Sequence, residues 1–162
     1  MDDVQQPSHS STLTGWREWV ALSEVGIPWI KAKIDTGARS SSLHATNAEE
    51  FDRGGAPWVR FDVQPWQRSE ALVTVEAPVL DRREVRSSSG HAQSRLVVLL
   101  EVTLVGRAIE AEVTLSDRTE MGFRMLIGRE ALRRGFLVDP ARSFLGGKPP
   151  KSARRAPRAP QT

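Results

Sequence analysis

The stretch Lys33 to Ala45 reads KIDTGARSSSLHA and sets one carboxylate, Asp35, between an apolar run and a turn of small hydroxyl residues. An aspartate followed by Thr36 and Gly37 has two chemical uses. It can turn the chain by accepting local N–H groups. It can also be half of a carboxylate pair that shares one proton, because two like charges a few ångströms apart do not both ionise. Such a pair hydrolyses an amide without metal or covalent nucleophile: one member activates water and the other protonates the leaving group. Threonine suits a hydrogen bond across the pair, and glycine keeps a Cβ out of the plane of backbone and carboxylate. The sequence holds this tripeptide once. Asp81, Asp117 and Asp139 lack the small-residue turn, so a dyad requires a second copy of the chain, Asp35 meeting Asp35 on a two-fold axis.

Other chemistries find little support. There is no cysteine, which removes thiolate metal sites, disulfides and cysteine nucleophiles. HExxH is absent, and the three histidines (His9, His44, His91) are scattered. No glycine loop of the GxxxxGK[ST] type would cradle a nucleotide. Ser40, Ser41 and Ser42 have no His–Asp arrangement around them, which leaves them turn and capping roles.

The elements that must carry Asp35 are strands. WREWVAL from Trp16 and the turn SEVGIP lead into WIKAKID, where Trp29, Lys31, Lys33 and Asp35 share one parity and Ile30, Ala32 and Ile34 the other. That is a strand with one buried face. WVRFDVQPW and EALVTVEAPVL read as extended, and the polar segment 81–95 as a long hairpin with SSSG at its centre. LVVLLEVTLVGRAIEAEVTLSD predicts a hairpin turning at Gly106-Arg107. MLIG then reads as a buried strand, REALRRG as a short helix closed by Gly135, and FLVDP as a last strand stopped by Pro140. Two segments, WIKAKIDTGARSSSL and FRMLIGREAL, echo each other as strand, glycine turn and helix-like stretch.

Asp35-Thr36-Gly37-Ala38 together with Leu126-Ile127-Gly128-Arg129 resembles the retropepsins, the single-domain aspartic proteases. GWREWVALSEVGIPWIKAKIDTGARSSSLHA, VRSSSG, and VTLSDRTEM through FLVDPARSFL resemble more closely a bacterial retropepsin-like group usually catalogued as ATP-dependent zinc proteases. The resemblance covers about residues 15 to 145. It implies a mainly β fold, the closed barrel of the acid proteases with one or two short helices, acting as a homodimeric aspartic endopeptidase on peptide or protein substrates. It implies Asp35 as the catalytic carboxylate, Thr36, Gly37 and Ala38 as its frame, and Gly128 and Arg129 as support from below. Ser87, Ser88, Ser89 and Gly90 would form the flap. No cofactor and no metal are expected, despite the catalogue name, and ATP dependence would come from a partner, for which an ATP-grasp glutamate ligase is the candidate. The alternative is a non-catalytic member using the fold for binding or assembly. One position departs from the viral pattern: Arg39 stands where an acid pairs with the arginine of the LIGR-type segment, so Arg129 needs another partner, with Asp117 as candidate.

Composition sets the frame. A chain of 162 residues suits one domain. The tail 146–162 carries Lys148, Lys151, Arg154, Arg155 and Arg158 without an acid; setting these five aside, 23 basic residues become 18 against 20 acidic ones. The basic character therefore belongs to a Pro-rich end expected to be disordered, like residues 1–14 at the other end. Nucleic acid is not the expected partner. No leader-like or membrane-length apolar run occurs, and the expected location is the cytoplasm. The five tryptophans are read as packing residues.

Overall fold

The computed structural model describes residues 10–86, 90–117 and 122–154. Strand β2 (Arg17–Leu22) passes through a 3-10 turn at Ser23–Val25 and returns as β3 (Ile27–Asp35). The alternation expected along β3 is present: Ile30, Ala32 and Ile34 are buried while Trp29, Lys31, Lys33 and Asp35 are half-exposed. After the turn at 36–40 come β4 (Ser41–His44), β5 (Thr46–Arg53) and β6 (Ala56–Val63). Next are β7 (Val73–Arg86), β8 (Ala92–Leu104), β9 (Arg107–Ser116) and β10 (Met125–Gly128). Helix α1 (Arg129–Leu132) leads to β11 (Phe136–Asp139), and α2 (Lys151–Arg154) follows.

Nine strands form one sheet in the order β2-β3-β10-β4-β9-β8-β7-β6-β5, and Ala21 of β2 also pairs Thr103 of β8. That last pairing closes β2, β3, β10, β4, β9 and β8 into a ring of hydrogen bonds. Inside it lie Val20, Ile30, Leu43, Val98, Val113 and Ile127, with other apolar side chains of the same parity. The mainly β expectation, with short helices, holds. Strand β7 serves two neighbours: residues 73–78 pair with β6, then an irregularity between Val79 and Asp81 redirects it onto β8. A bulge bends a strand in this way.

Two details differ from the sequence reading. Strand β5 is not visible in TNAEEFDR because it is an edge strand with little buried surface; its stabilisation comes from cross-strand pairs rather than an apolar face. The β8–β9 hairpin turns at Val105-Gly106, one residue earlier than expected, with φ of +47° and +76°. A two-residue turn of type I′ needs φ positive at both positions, and Val105 accepts that conformation while packing on the core. Composition placed seams at 14/15 and 145/146. In the structure Thr12–Gly15 forms β1, paired in parallel with β11, and Pro149 is buried.

Candidate active site

Strand β3 runs parallel to β10, with Gly128 level with Asp35. On its other side β10 lies antiparallel to β4, so the turn 36–40 leaves β3, passes over the end of β10 and comes back as its second neighbour. The strands and glycine turns of the two echoing segments thus lie side by side at one level, while the helix-like stretch expected after Gly37 is instead a turn leading into β4.

Asp35 sits half-buried at the end of β3. Its Oδ1 accepts the Gly37 N–H at 2.9 Å, and its carbonyl accepts the Ala38 N–H at 3.2 Å. A Cβ on Gly37 would stand 3.2 Å from Oδ1, so glycine is what lets the amide reach the carboxylate. The second carboxylate oxygen has no partner among the described residues. Thr36 is exposed and its hydroxyl makes no hydrogen bond among the described residues either.

The turn is held from below by α1. A helix leaves its first N–H groups unsatisfied; here they go to the turn. The Arg129 N–H donates to the Ala38 carbonyl at 2.8 Å and the Glu130 N–H to the Arg39 carbonyl at 3.0 Å. The Arg129 guanidinium adds a bond from Nη1 to the Gly37 carbonyl at 3.3 Å. The Gly128 N–H donates to the Ser41 hydroxyl, itself buried, at 3.1 Å. A Cβ on Gly128 would lie 2.5 Å from the Ser40 carbonyl oxygen. Thr36 aside, whose side chain faces outward, the structure brings Asp35, Gly37, Ala38, Gly128 and Arg129 together. Lys33, Leu126 and Ser42, level with one another across β3, β10 and β4, share the half-exposed face on which Asp35 stands.

Other expected positions fall elsewhere. Ser87, Ser88 and Ser89 lie outside the described residues; Gly90 is exposed with φ +86°, just before β8. Asp117 does not meet Arg129: it faces a hollow shared with Glu50, Arg82 and Ser94, and the Arg129 guanidinium forms no ion pair among the described residues. Its partner is the turn's own backbone. Among the described residues no three His, Asp or Glu side chains gather where they would hold a metal ion, so the zinc of the catalogue name has no fitting donor set there. His44 buries its Nδ1 within β4 without a hydrogen bond among the described residues, and His91 is exposed. No helix among the described residues is long and apolar enough to cross a membrane. Sequence reasoning missed Ser41 as an acceptor, since nothing in the run Ser40-Ser41-Ser42 marks which hydroxyl is buried.

A family profile described as retropepsin-like aspartic endopeptidase RimB matches residues 13–149. The chain belongs to this RimB-like family. Its turn at Asp35 and the Gly128-Arg129 support are therefore read within a retropepsin-like fold. The chain is 44% identical over 142 residues, 87% of its length, to a protein of Shewanella pealeana named probable alpha-L-glutamate ligase. A protein of the same name from Desulfotalea psychrophila is 40% identical over 130 residues, 80% of this chain. The match takes up only 31% and 28% of those proteins, so the chain spans about a third of their length. A crystal structure of a Legionella pneumophila protein of unknown function superposes with a TM-score of 0.70 at 29% identity, covering 83% of this chain and 98% of the other.

Proposed function

We propose that this RimB-like chain is one subunit of a homodimeric aspartic endopeptidase. The observation that carries the proposal is the Asp35 turn: one carboxylate oxygen pinned by the Gly37 amide, the other unpartnered among the described residues, and an exposed Thr36 beside it. Two such turns facing each other across a two-fold axis would share one proton, and their titration would belong to the pair. The ionised carboxylate takes a proton from water as it attacks the peptide carbonyl, and the protonated one donates to the developing oxyanion. The proton gained from water then passes to the leaving nitrogen. In this reading Thr36 bonds across the dimer axis and the β7–β8 hairpin covers the cleft and excludes water.

The test is hydrolysis of a peptide library across pH by wild type, Asp35→Asn and chelator-treated protein. Cleavage that depends on Asp35 and survives chelation is expected. Cleavage by Asp35→Asn at the wild-type rate would sink the aspartic mechanism.

A second reading rests on the relatives named glutamate ligases, in which a segment like this one occupies about a third of a longer chain. It places this domain beside a glutamate ligase, as its processing partner or as a non-catalytic assembly element. Co-elution of the purified chain with an alpha-L-glutamate ligase from the same cells tests it; separate elution at micromolar concentrations excludes a stable complex.

A further inference from the structure

Glu18 is the one Asp, Glu, Lys or Arg side chain that is fully buried among the described residues. It stands on the core-facing parity of β2, beside Val20 and Leu22, with 0% of its surface exposed. No Lys or Arg pairs with it among the described residues. Instead its carboxylate accepts three backbone N–H groups: Gly15 at 2.7 Å and Leu145 at 3.0 Å on Oε2, and Gly146 at 3.0 Å on Oε1. Burying an ionised carboxylate is costly unless its lone pairs are met; three amide donors meet them here.

These donors belong to two segments that are far apart in sequence. Gly15 ends β1, while Leu145 and Gly146 belong to a strap that follows β11. The strap is stitched to residues 15–17 at further points. The Trp16 N–H donates to the Arg142 carbonyl at 2.9 Å, and the Phe144 N–H to the Arg17 carbonyl at 3.0 Å. The Arg17 Nε donates to the Ser143 hydroxyl at 3.1 Å, and its guanidinium lies 4.8 Å from the ring centroids of both Trp16 and Phe144. Phe144 holds φ +57°, a conformation that L side chains adopt only under constraint. A Cβ on Gly15 would collide with the Arg142 carbonyl.

The stitched segment ends on the catalytic strand. The Trp16 carbonyl accepts the Ile34 N–H at 2.7 Å, and Ile34 precedes Asp35. From this continuity we infer that Glu18 is a positioning residue: its carboxylate latches the strap 142–147 onto residues 15–17, and that clasp fixes the end of β3 from which Asp35 projects. This inference rests on the peptidase reading for its kinetic consequence, but the latch itself does not.

Glu18→Gln keeps the side chain's shape and puts an NH2 group against amide donors, which leaves at least one of the three without an acceptor. The experiment measures amide hydrogen exchange residue by residue, and kcat and KM on any peptide the wild type cleaves, at a temperature where far-ultraviolet circular dichroism shows both proteins folded. A lost charged acceptor corresponds to about tenfold. The Ile34, Leu145 and Gly146 amides are expected to exchange about tenfold faster while Val98 and Val113 in the ring are unchanged, with kcat down about tenfold and KM within about twofold. Gly146→Ala perturbs the strap while leaving the carboxylate chemically intact: its methyl would crowd the Val105 Cα at 3.1 Å and meet Glu18 Oε1 only in ordinary contact at 3.6 Å; it should give the same pattern in smaller measure, and it stands in if Glu18→Gln fails to fold. Uniformly faster exchange in every strand, or an unchanged Ile34 amide, overturns the latch. A loosened latch with unchanged kcat overturns the positioning role. A wild type that cleaves nothing sinks the peptidase reading instead, and the exchange pattern still decides the latch.

Discussion

A methyl group on Gly128 has nowhere to go. It would meet the Ser40 carbonyl oxygen at 2.5 Å and that of Ala38 at 2.9 Å, both backbone atoms of the turn that carries Asp35. Gly128→Ala is therefore expected to push the turn outward, lowering stability by about 1–3 kcal/mol and Tm by about 2–12 °C, checked by thermal unfolding. Ser41→Ala acts on the same contact from the other side. It removes the acceptor of the Gly128 N–H and leaves a buried donor unpaired, a loss of about 1–3 kcal/mol. The substitutions differ in one respect: only Gly128→Ala displaces the turn, so it alone should also reduce any Asp35-dependent cleavage by more than its stability loss explains. At this scale much of the site was legible. Asp35, Gly37 and Gly128 stand in short motifs whose residue types follow from the chemistry. Ser41 and Glu18 were not, because a buried polar side chain is defined by what surrounds it. Asp117, the candidate partner for Arg129, stands elsewhere: charge invites a search for countercharge, whereas the guanidinium here serves the Gly37 carbonyl.

Among the elements, the β5–β6 hairpin depends most on polar pairs. Its aromatic pair, Phe51 and Trp58, has centroids 6.3 Å apart, and the Arg53 guanidinium lies 4.2 Å from the Trp58 ring. Arg53 bonds Glu76 of β7 at 2.7 Å, while Glu50 of β5 pairs with Arg82 of β7, whose bond and charge hold that carboxyl below its usual range. Asp62 of β6 joins all three strands. It accepts the Thr74 hydroxyl at 2.7 Å and the Asn47 amide at 2.9 Å, and these bonds, Thr74 first, hold its carboxyl below its ordinary value of 3.8. A depressed folded pKa contributes stability that is present above the unfolded value and disappears as pH falls through the folded one. Wild type should thus exceed Asp62→Asn in stability above about pH 4, by at most about 1 kcal/mol at this surface site, with the gap closing at lower pH. Tm measured against pH for both proteins checks this; a gap of constant size would show that the carboxylate's charge is not what matters. An edge hairpin of this kind is hard to see in sequence, since strand periodicity reports burial and β5 buries little. The central strands bury one face and were legible for that reason.

For the whole molecule, the question is whether one catalytic turn per chain works alone. The closed ring of six strands gives each copy an apolar core of its own. The proposed chemistry nevertheless needs two copies, if water is to be held between two carboxylates. Mixing discriminates the cases. Wild type and Asp35→Asn, combined in equal amounts and allowed to exchange subunits, form both homodimers and the mixed dimer, and random pairing leaves about a quarter of the dimers with two aspartates. A mixed dimer with one Asp35 lacks the shared proton, so cleavage at fixed total protein should fall to about a quarter of that of wild type alone. Independent subunits would retain about half. A dimer could be expected from the single motif, but the surface that would join two copies was not legible. Register within a chain is set by buried faces, as in β3 against β10, whereas a contact between copies would depend on exposed residues, which carry no periodic signal. A measured activity near one half, with exchange verified by mass labelling, would overturn the dyad even if Asp35 itself proved essential.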